Sequence, residues 1–149
     1  MEKQNLVKEA DGPGTGLADA LVPTAFVTMA VLNKIGAEHD LSLTLIRVLG
    51  ILRDRRPRMA ELADYLGLER QTMSGLIARA EKRGLVARAP NAEDGRATDV
   101  FLTSEGTQLV QRLHAQMQRA LAPLTEQLST SDQQLLQKLL LRMLETRGS

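Results

Sequence analysis

Residues 59–85 read MAELADYLGLERQTMSGLIARAEKRGL, and this stretch predicts two short helices around a tight turn. Apolar residues recur at helical spacing over Met59–Leu66, and Gly67 stands where a glycine would end a helix. The second helix is expected over Arg70–Lys82. Its inner face is expected to consist of Met73, Leu76, Ile77 and Ala80. Two helices joined by a short turn containing glycine form a helix-turn-helix, whose second helix can lie in the major groove of DNA.

The outer face of the second predicted helix carries side chains that suit the reading of DNA. Its members are Arg70, Gln71, Ser74 and Arg79, with Thr72 beside the first turn. Arginine and glutamine can each form paired hydrogen bonds with the edges of bases. A solvated amphipathic helix hairpin fits this stretch equally well when the stretch is taken alone.

The segment after these helices predicts a β-hairpin. Short strands are expected at residues 85–88 and 98–102, where apolar residues are enriched and partly alternate. Residues 89–97 between them read APNAEDGRA, which is rich in turn formers and contains a basic residue, Arg96. A helix-turn-helix followed at once by such a hairpin is a winged helix, which favours the DNA-reading alternative.

These motifs together resemble the MarR family of bacterial transcription regulators. The resemblance rests on ELADYLGLERQTMSGLIARAEKRGLV, on Asp94-Gly95-Arg96-Ala97 in the hairpin, and on Leu102-Thr103-Ser104-Glu105-Gly106. They follow the family's order and spacing, and the match runs from about Leu17 to Leu144. The resemblance implies a mainly α fold with a small β-wing. It also implies one winged helix-turn-helix lobe and a helical dimerisation region built from the first helix and the last two.

Composition limits the possible classes of protein. A chain of 149 residues with 43% hydrophobic residues suffices for one domain with a buried core. No uninterrupted apolar run approaches the roughly 20 residues of a membrane span, and the first five residues lack the apolar core of an export signal. The absence of cysteine excludes disulfides and thiolate metal sites. We therefore expect a cytoplasmic protein without membrane contact.

The net charge of +1 hides an asymmetry along the chain. Between Arg47 and Thr98 there are eleven Lys and Arg against seven Asp and Glu, whereas the other residues hold eight against eleven. The positive excess lies in the segment expected to meet DNA, as steering toward phosphates requires. Within the basic run at residues 53–58, Arg58 is the favoured phosphate contact. Lys82 and Arg83 are further candidates, and an ordinary surface charge remains the alternative for each.

The hairpin tip supplies the strongest single-residue prediction. Arg96 is expected to contact DNA, because an arginine on a hairpin can enter the narrow minor groove beside the recognition helix. Asp94 is expected to orient the wing through a salt bridge, since phosphates would repel it. Glu69 and Gly75 depart from the family pattern. Glu69 favours the helix dipole, and Gly75 either permits close approach of the backbone to DNA or removes one base contact.

The remaining segments are assigned as an arm and as parts of one domain. Glycine and proline within residues 1–16 would break a helix, so a flexible arm is expected there, before a single domain at 17–149. Residues 41–102 are assigned to the winged helix-turn-helix lobe. Residues 17–40 and 103–147 are assigned to dimerisation.

Local signals place the helix starts in these segments. A helical pattern runs from Leu17 to about Gly36 with Pro23 inside it, so the first helix either begins near Val22 or kinks at Pro23. A start near Val22 with Pro23 in the first turn is favoured. Ser42, Thr103 and Ser129 are expected to cap the helices that follow them.

The last helix carries a broad apolar stripe that needs a partner surface. Its members are Leu135, Leu136, Leu139, Leu140, Met143 and Leu144. A second copy of the chain is the simplest partner, and packing within one chain is the alternative. A two-fold dimer with its recognition helices one DNA turn apart, roughly 34 Å, predicts a pseudo-palindromic operator.

No enzyme is expected, because the sequence has neither a glycine-rich phosphate loop nor a nucleophile elbow, and its two histidines, His39 and His114, do not suggest a metal site. No cofactor is expected. The resemblance implies a small anionic or phenolic effector in a crevice between the dimer helices and the DNA-binding lobe. His39 and Arg47 are its candidate contacts, and apolar walls are expected at Phe26, Met29 and Met117, for which core packing is the alternative.

Two functions from different classes follow from the sequence. The first is a homodimeric transcription repressor that binds double-stranded DNA and is released by a small effector. The second is a winged-helix module that binds protein and has lost DNA binding.

Overall fold

The computed structural model describes residues 16–145, so the arm predicted at residues 1–16 lies outside it except for Gly16. Over this range the chain forms α1 (Leu17–Glu38), α2 (Leu43–Leu52), α3 (Met59–Leu66), α4 (Arg70–Lys82), β1 (Val86–Pro90), β2 (Thr98–Leu102), α5 (Ser104–Thr125) and α6 (Thr130–Glu145). The predicted fold class, mainly α with a small β-wing, is confirmed.

The helix-turn-helix forms around a core that the sequence pattern predicts. The Ser42 hydroxyl accepts a hydrogen bond from the backbone N–H of Leu45 at 3.1 Å and so caps α2. Gly67 ends α3 with φ of 66°, a left-handed conformation that glycine adopts without strain. Fully buried members of the core include Val48, Leu49, Met73, Ile77, Ala80 and Val100. This core fixes α2, α4 and the wing against one another.

The wing is a two-stranded antiparallel hairpin in which Val86 lies opposite Leu102 and Pro90 opposite Thr98. The first strand therefore extends two residues beyond the predicted end at Arg88. Proline is tolerated at the end of an edge strand, where its missing N–H breaks no ladder hydrogen bond. The strand can therefore include Pro90 although turn formers follow it.

The start predicted for α1 was wrong, because the helix begins at Leu17 rather than near Val22. The Gly16 backbone N–H donates to the Asp19 carboxylate at 3.0 Å, and the Asp19 N–H donates to the Gly16 carbonyl at 3.1 Å. This reciprocal cap starts the helix, and Pro23 then lies inside it at the cost of one backbone donor.

The chain leaves many large apolar side chains exposed on three elements. Apart from Tyr65 on α3, they lie on α1, around the end of α5 and along α6, and no described residue of α6 is buried. Leu17, Phe26 and Leu144 remain 73%, 64% and 62% exposed. Soluble monomers rarely expose contiguous apolar patches of more than a few hundred Å². These helices thus present a surface suited to a partner.

Helix α1 is also long and apolar enough to cross a membrane. It has 22 residues, its most apolar stretch has a mean hydropathy of 1.4, and only 11% of that stretch is buried. A helix whose apolar face is covered by other protein has the same composition, so this finding alone is weak evidence for a membrane span.

Candidate nucleic-acid interface

The recognition helix α4 turns its polar side chains outward. Met73 and Ile77 are fully buried, and Leu76 and Ala80 complete the inner stripe. This stripe repeats at helical spacing, so the predicted DNA-reading residues lie on the remaining face. The exposed residues there are Arg70, Gln71, Thr72, Ser74 and Arg79.

The two positions that depart from the family pattern have no packing role that accounts for them. Glu69 is the N-cap residue of α4, and its side chain makes no capping hydrogen bond. A Cβ atom added to Gly75 would meet no atom within 4 Å. Neither residue is therefore explained by contacts within the described chain.

An open recess of about 410 Å³ separates the recognition helix from the wing. Four arginines from four different elements or loops line it: Arg58, Arg70, Arg88 and Arg96. We call this surface the arginine recess. The fold thus brings residues that are distant in sequence onto one concave cationic surface, the shape and charge that a nucleic-acid backbone requires.

Arg88 in the arginine recess was not predicted from the sequence as a site residue. Its guanidinium donates to the Glu81 carboxylate at 2.9 Å, which connects strand β1 to helix α4. The only sequence signal for Arg88 as a site residue is its position in a partly alternating strand that leads into the basic wing tip. Arg88 therefore links the recognition helix to the wing.

Arg58 stands at the N-cap of α3, as its position in the sequence suggests. Its Nε atom lies 3.6 Å from the Glu61 carboxylate, and its side chain is 37% exposed. Its backbone forms an isolated β-bridge with Asp99. These contacts place Arg58 at the base of the wing, and its phosphate contact stays a prediction.

Arg83 has a role within the chain that the sequence did not indicate. Its guanidinium donates to the carbonyl oxygens of Asp40 at 2.7 Å and of His39 at 2.9 Å. It therefore joins the end of the recognition helix to the link between α1 and α2. Arg79 and Lys82 are exposed, and neither has an ion-pair partner among residues 16–145.

The wing tip is organised by hydrogen bonds to the backbone. The Asn91 side-chain oxygen accepts from the N–H groups of Glu93 and Asp94, at 2.9 and 3.0 Å. Asp94 in turn accepts from the Arg96 backbone N–H at 3.1 Å. Within the described range no cation forms the salt bridge predicted for Asp94. Asp94 instead orients the backbone of Arg96, whose side chain is exposed.

A buried carboxylate anchors the wing at its base. Asp99 is 7% exposed and accepts a hydrogen bond from the side-chain amide of Asn91 at 2.8 Å. Its other oxygen lies 3.5 Å from Nε of Arg56, whose guanidinium also lies 4.1 Å from the centre of the Phe101 ring. This cluster was not predicted from the sequence, in which an aspartate among apolar strand residues was the available signal.

The two candidate effector contacts have separate partners in the structure. Nε2 of His39 lies 2.6 Å from the side-chain oxygen of Gln116 on α5. The Arg47 guanidinium instead lies over the Tyr65 ring at 5.5 Å from its centre. Neither contact joins His39 to Arg47, so their common role toward an effector stays a prediction.

Comparison with known proteins identifies relatives of this chain. The profile of the MarR family matches residues 39–97, which include the helix-turn-helix and most of the wing. The homoprotocatechuate degradative operon repressor of Escherichia coli is 29% identical over 126 residues, which cover 83% of this chain and 84% of that protein. The HTH-type transcriptional repressor IacR of Pseudomonas putida is 33% identical over 75 residues, which cover 50% of this chain and 45% of that protein.

Solved structures share the same fold over most of the chain. The structure of NadR in complex with 4-hydroxyphenylacetate has a TM-score of 0.73 and 22% identity, and the match covers 89% of this chain and 95% of that one. A MepR–DNA complex from S. aureus has a TM-score of 0.66 and 20% identity, with 88% and 98% covered. The likeness to these two structures establishes the fold. The profile match over residues 39–97 and the related repressors support membership of the MarR family of transcription regulators.

Proposed function

We propose that this protein is a homodimeric repressor that binds a pseudo-palindromic operator and is released from it by a small effector. The observation that carries this proposal is the arginine recess between the recognition helix and the wing. Two of its arginines, Arg70 and Arg96, lie on the elements that a winged helix presents to adjacent grooves of DNA.

Side chains of the arginine recess and of the exposed face of α4 are assigned tasks by their positions. Arg70, Gln71, Thr72 and Ser74 read base edges in the major groove from the exposed face of α4. Arg96 enters the neighbouring minor groove, where a narrow groove concentrates negative potential. Arg58, Arg79 and Lys82 contact phosphates, which fixes the position of the protein on the duplex without reading sequence.

The exposed apolar helices support a dimer. One recognition helix reads only a few base pairs, whereas a dimer reads two half-sites and adds their binding energies. The apolar surface of α1, α5 and α6 supplies the area for the dimer contact. Burying it against a second copy would also account for the apolar composition of α1.

A small effector is supported by the relatives. NadR has been crystallised with 4-hydroxyphenylacetate, and the E. coli repressor takes its name from the degradation of homoprotocatechuate. By the logic of linked equilibria, an effector releases DNA only if it binds the DNA-incompetent dimer more tightly than the competent one.

Selection of genomic fragments on the purified protein, followed by footprinting, tests this function. We expect enrichment of a promoter fragment that contains an inverted repeat, bound with an affinity that falls steeply with salt through release of counterions. Random DNA of equal length is the control, and it should bind at least about 10³-fold more weakly. If no fragment is enriched over random DNA, the proposal is wrong and the alternative, a winged-helix module that binds protein, is favoured.

A further inference from the structure

Arg83 joins the C-terminal ends of two helices, the recognition helix α4 and the outer helix α1. It is the C-cap residue of α4, and its backbone N–H donates to the Arg79 carbonyl oxygen at 3.1 Å. Its guanidinium donates to the carbonyl oxygens of His39 and Asp40, which directly follow α1. Carbonyl groups at the end of a helix lack partners within the helix and carry partial negative charge. One cation is therefore shared between two negative helix ends.

The two acceptors of Arg83 lie in a tight turn. Asp40 has a φ of 54°, a left-handed conformation that residues with a side chain rarely adopt. The Leu41 N–H closes the turn on the Gly36 carbonyl oxygen at 2.7 Å. A Cβ atom on Gly36 would collide with the Leu41 carbonyl oxygen, so this turn requires glycine there. The end of α1 therefore fixes the positions of both acceptor oxygens.

The same turn is also held to α5. Nε2 of His39 lies 2.6 Å from the side-chain oxygen of Gln116, whose amide donates to the Glu38 carboxylate at 3.5 Å. Helices α1 and α5 both contribute to the apolar surface of the proposed dimer. Within residues 16–145, no side-chain hydrogen bond other than those of Arg83 joins α4 or its C-cap to this turn. Arg83 thus connects the recognition helix with helices that are proposed to pair.

Arg83 and the residues expected to read DNA lie at opposite ends of α4. The helix begins at Arg70 and has 13 residues, which span about 20 Å at a rise of 1.5 Å per residue. A tilt of the lobe by about 10° around Arg83 would move Arg70 by about 3.4 Å, which is the rise of one base pair. In a two-fold dimer, a small change at this junction would therefore change the distance between the two reading surfaces by a step that DNA can detect.

We infer that Arg83 is a positioning residue that sets the separation of the two recognition helices, and with it the half-site spacing that the protein accepts. The inference rests on the proposed homodimer and operator, and it adds the residue that determines the geometry of the operator. Arg83 acts through the orientation of α4 rather than by contact with DNA. Its substitution should therefore change the preferred spacing of half-sites instead of lowering the affinity for every spacing equally.

The separation of the recognition helices can be measured without DNA. The chain has no cysteine, so Ala78→Cys at an exposed position of α4 carries a single spin label per chain. Double electron–electron resonance between the two labels of a dimer should give one narrow distance distribution. Adding Arg83→Met should broaden or shift it by about 3 Å or more, the displacement that a small tilt produces. Lys82→Met removes the adjacent exposed cation and should leave the distribution unchanged.

Operators with altered half-site spacing test the consequence for DNA binding. A series whose half-sites are one or two base pairs closer or farther apart is titrated with the wild type, Arg83→Met and Lys82→Met. The wild type and Lys82→Met should prefer the best spacing over its neighbours by about tenfold or more, the size of a typical mismatch effect. The preference of Arg83→Met should fall below about threefold, because its recognition helices adapt to several spacings.

An unchanged distance distribution or an unchanged spacing preference in Arg83→Met would overturn the inference. An equal loss of affinity for all spacings would overturn it too, because that pattern indicates a phosphate contact. If the wild type prefers no spacing, or if its labels give no distance between chains, the proposed function itself is refuted and the inference with it. Circular dichroism checks that each variant is folded. Should Arg83→Met not fold, Arg83→Lys keeps the charge without the planar two-pronged donor and should show the same changes.

Discussion

The lobe built from α2, α3, α4 and the wing differs from the outer helices in how it uses its apolar residues. In the lobe, side chains such as Leu49, Met73 and Val100 are fully buried within one chain. In α6, no described residue is buried, and Leu135 and Leu144 stay 55% and 62% exposed. One region thus completes its own core, whereas the other has an apolar stripe without a cover. One chain can thus position the residues that are expected to read DNA, whereas covering the apolar stripe of α6 needs a second chain.

Disrupting the uncovered stripe should have the largest effect. Leu136→Glu combined with Leu140→Glu places charges on the exposed apolar face of α6 and should abolish the dimer. Loss of the second half-site contact should weaken operator binding by about 10²–10⁴-fold, since linked binding events gain about that much. Analytical ultracentrifugation and operator titration measure the two effects. Gln134→Glu, a charge on an already polar position of α6, should leave both unchanged, and a double variant that stays dimeric would contradict this assignment of the surface.

Removing Arg96 from the wing should have the next largest effect on operator binding, and it should leave the dimer intact. Arg96→Ala should weaken operator binding by about 1–3 kcal/mol, the range of a good base or groove contact. Operator titration at physiological salt measures this loss. Arg112→Ala removes an exposed arginine from α5, outside the arginine recess, and is the matched control. Equal affinity of the two variants would remove the wing from the mechanism.

Substitutions of Lys82 and Arg83, two adjacent cations at the end of α4, should distinguish a phosphate contact from a structural contact. Lys82→Met should reduce the salt dependence of operator binding by about one counterion and leave stability unchanged. Arg83→Met removes two hydrogen bonds to carbonyl oxygens and should lower the free energy of unfolding by about 1 kcal/mol. Salt titration and urea unfolding of both variants measure these effects. A reduced salt slope with unchanged stability for Arg83→Met would restore its role as a DNA contact.

The smallest expected effect concerns Gly75 in the recognition helix. Gly75→Ala should raise the free energy of unfolding by up to about 1 kcal/mol, because glycine is a poor helix former and the added methyl meets open space. We expect operator affinity to change less than about threefold, which corresponds to a change in binding free energy of under about 0.7 kcal/mol. Urea unfolding and operator titration measure both quantities. A loss of affinity beyond tenfold would show that the backbone approaches DNA closely at this position.

Local sequence patterns predicted the lobe well. Helical spacing, the Ser42 cap and the left-handed Gly67 are decided by residues within one or two turns of one another, and the structure confirms α2, α3 and α4. The start of α1 was predicted wrongly because Pro23 favoured a later start, whereas the reciprocal hydrogen bonds between Gly16 and Asp19 begin the helix five residues earlier.

Contacts between distant residues set the limit of what the sequence could predict about the site. The pair of Arg56 with Asp99 spans 43 positions, and Arg83 meets the carbonyl of Asp40 across the same separation. Periodicity carries no information on such pairs. The residue types of the DNA-reading face were predictable, whereas the hydrogen bonds that fix the wing were not.

Hydroxyl-radical footprinting of a selected operator, with the number of bound chains counted in the same complex, tests the central claim most directly. We predict two chains on one operator, with two protected half-sites about 10 base pairs apart or a multiple of that spacing. Protection of the flanking minor grooves should disappear in Arg96→Ala. A single chain that protects one half-site, or two half-sites at a spacing that fits no whole number of helical turns, would contradict the account.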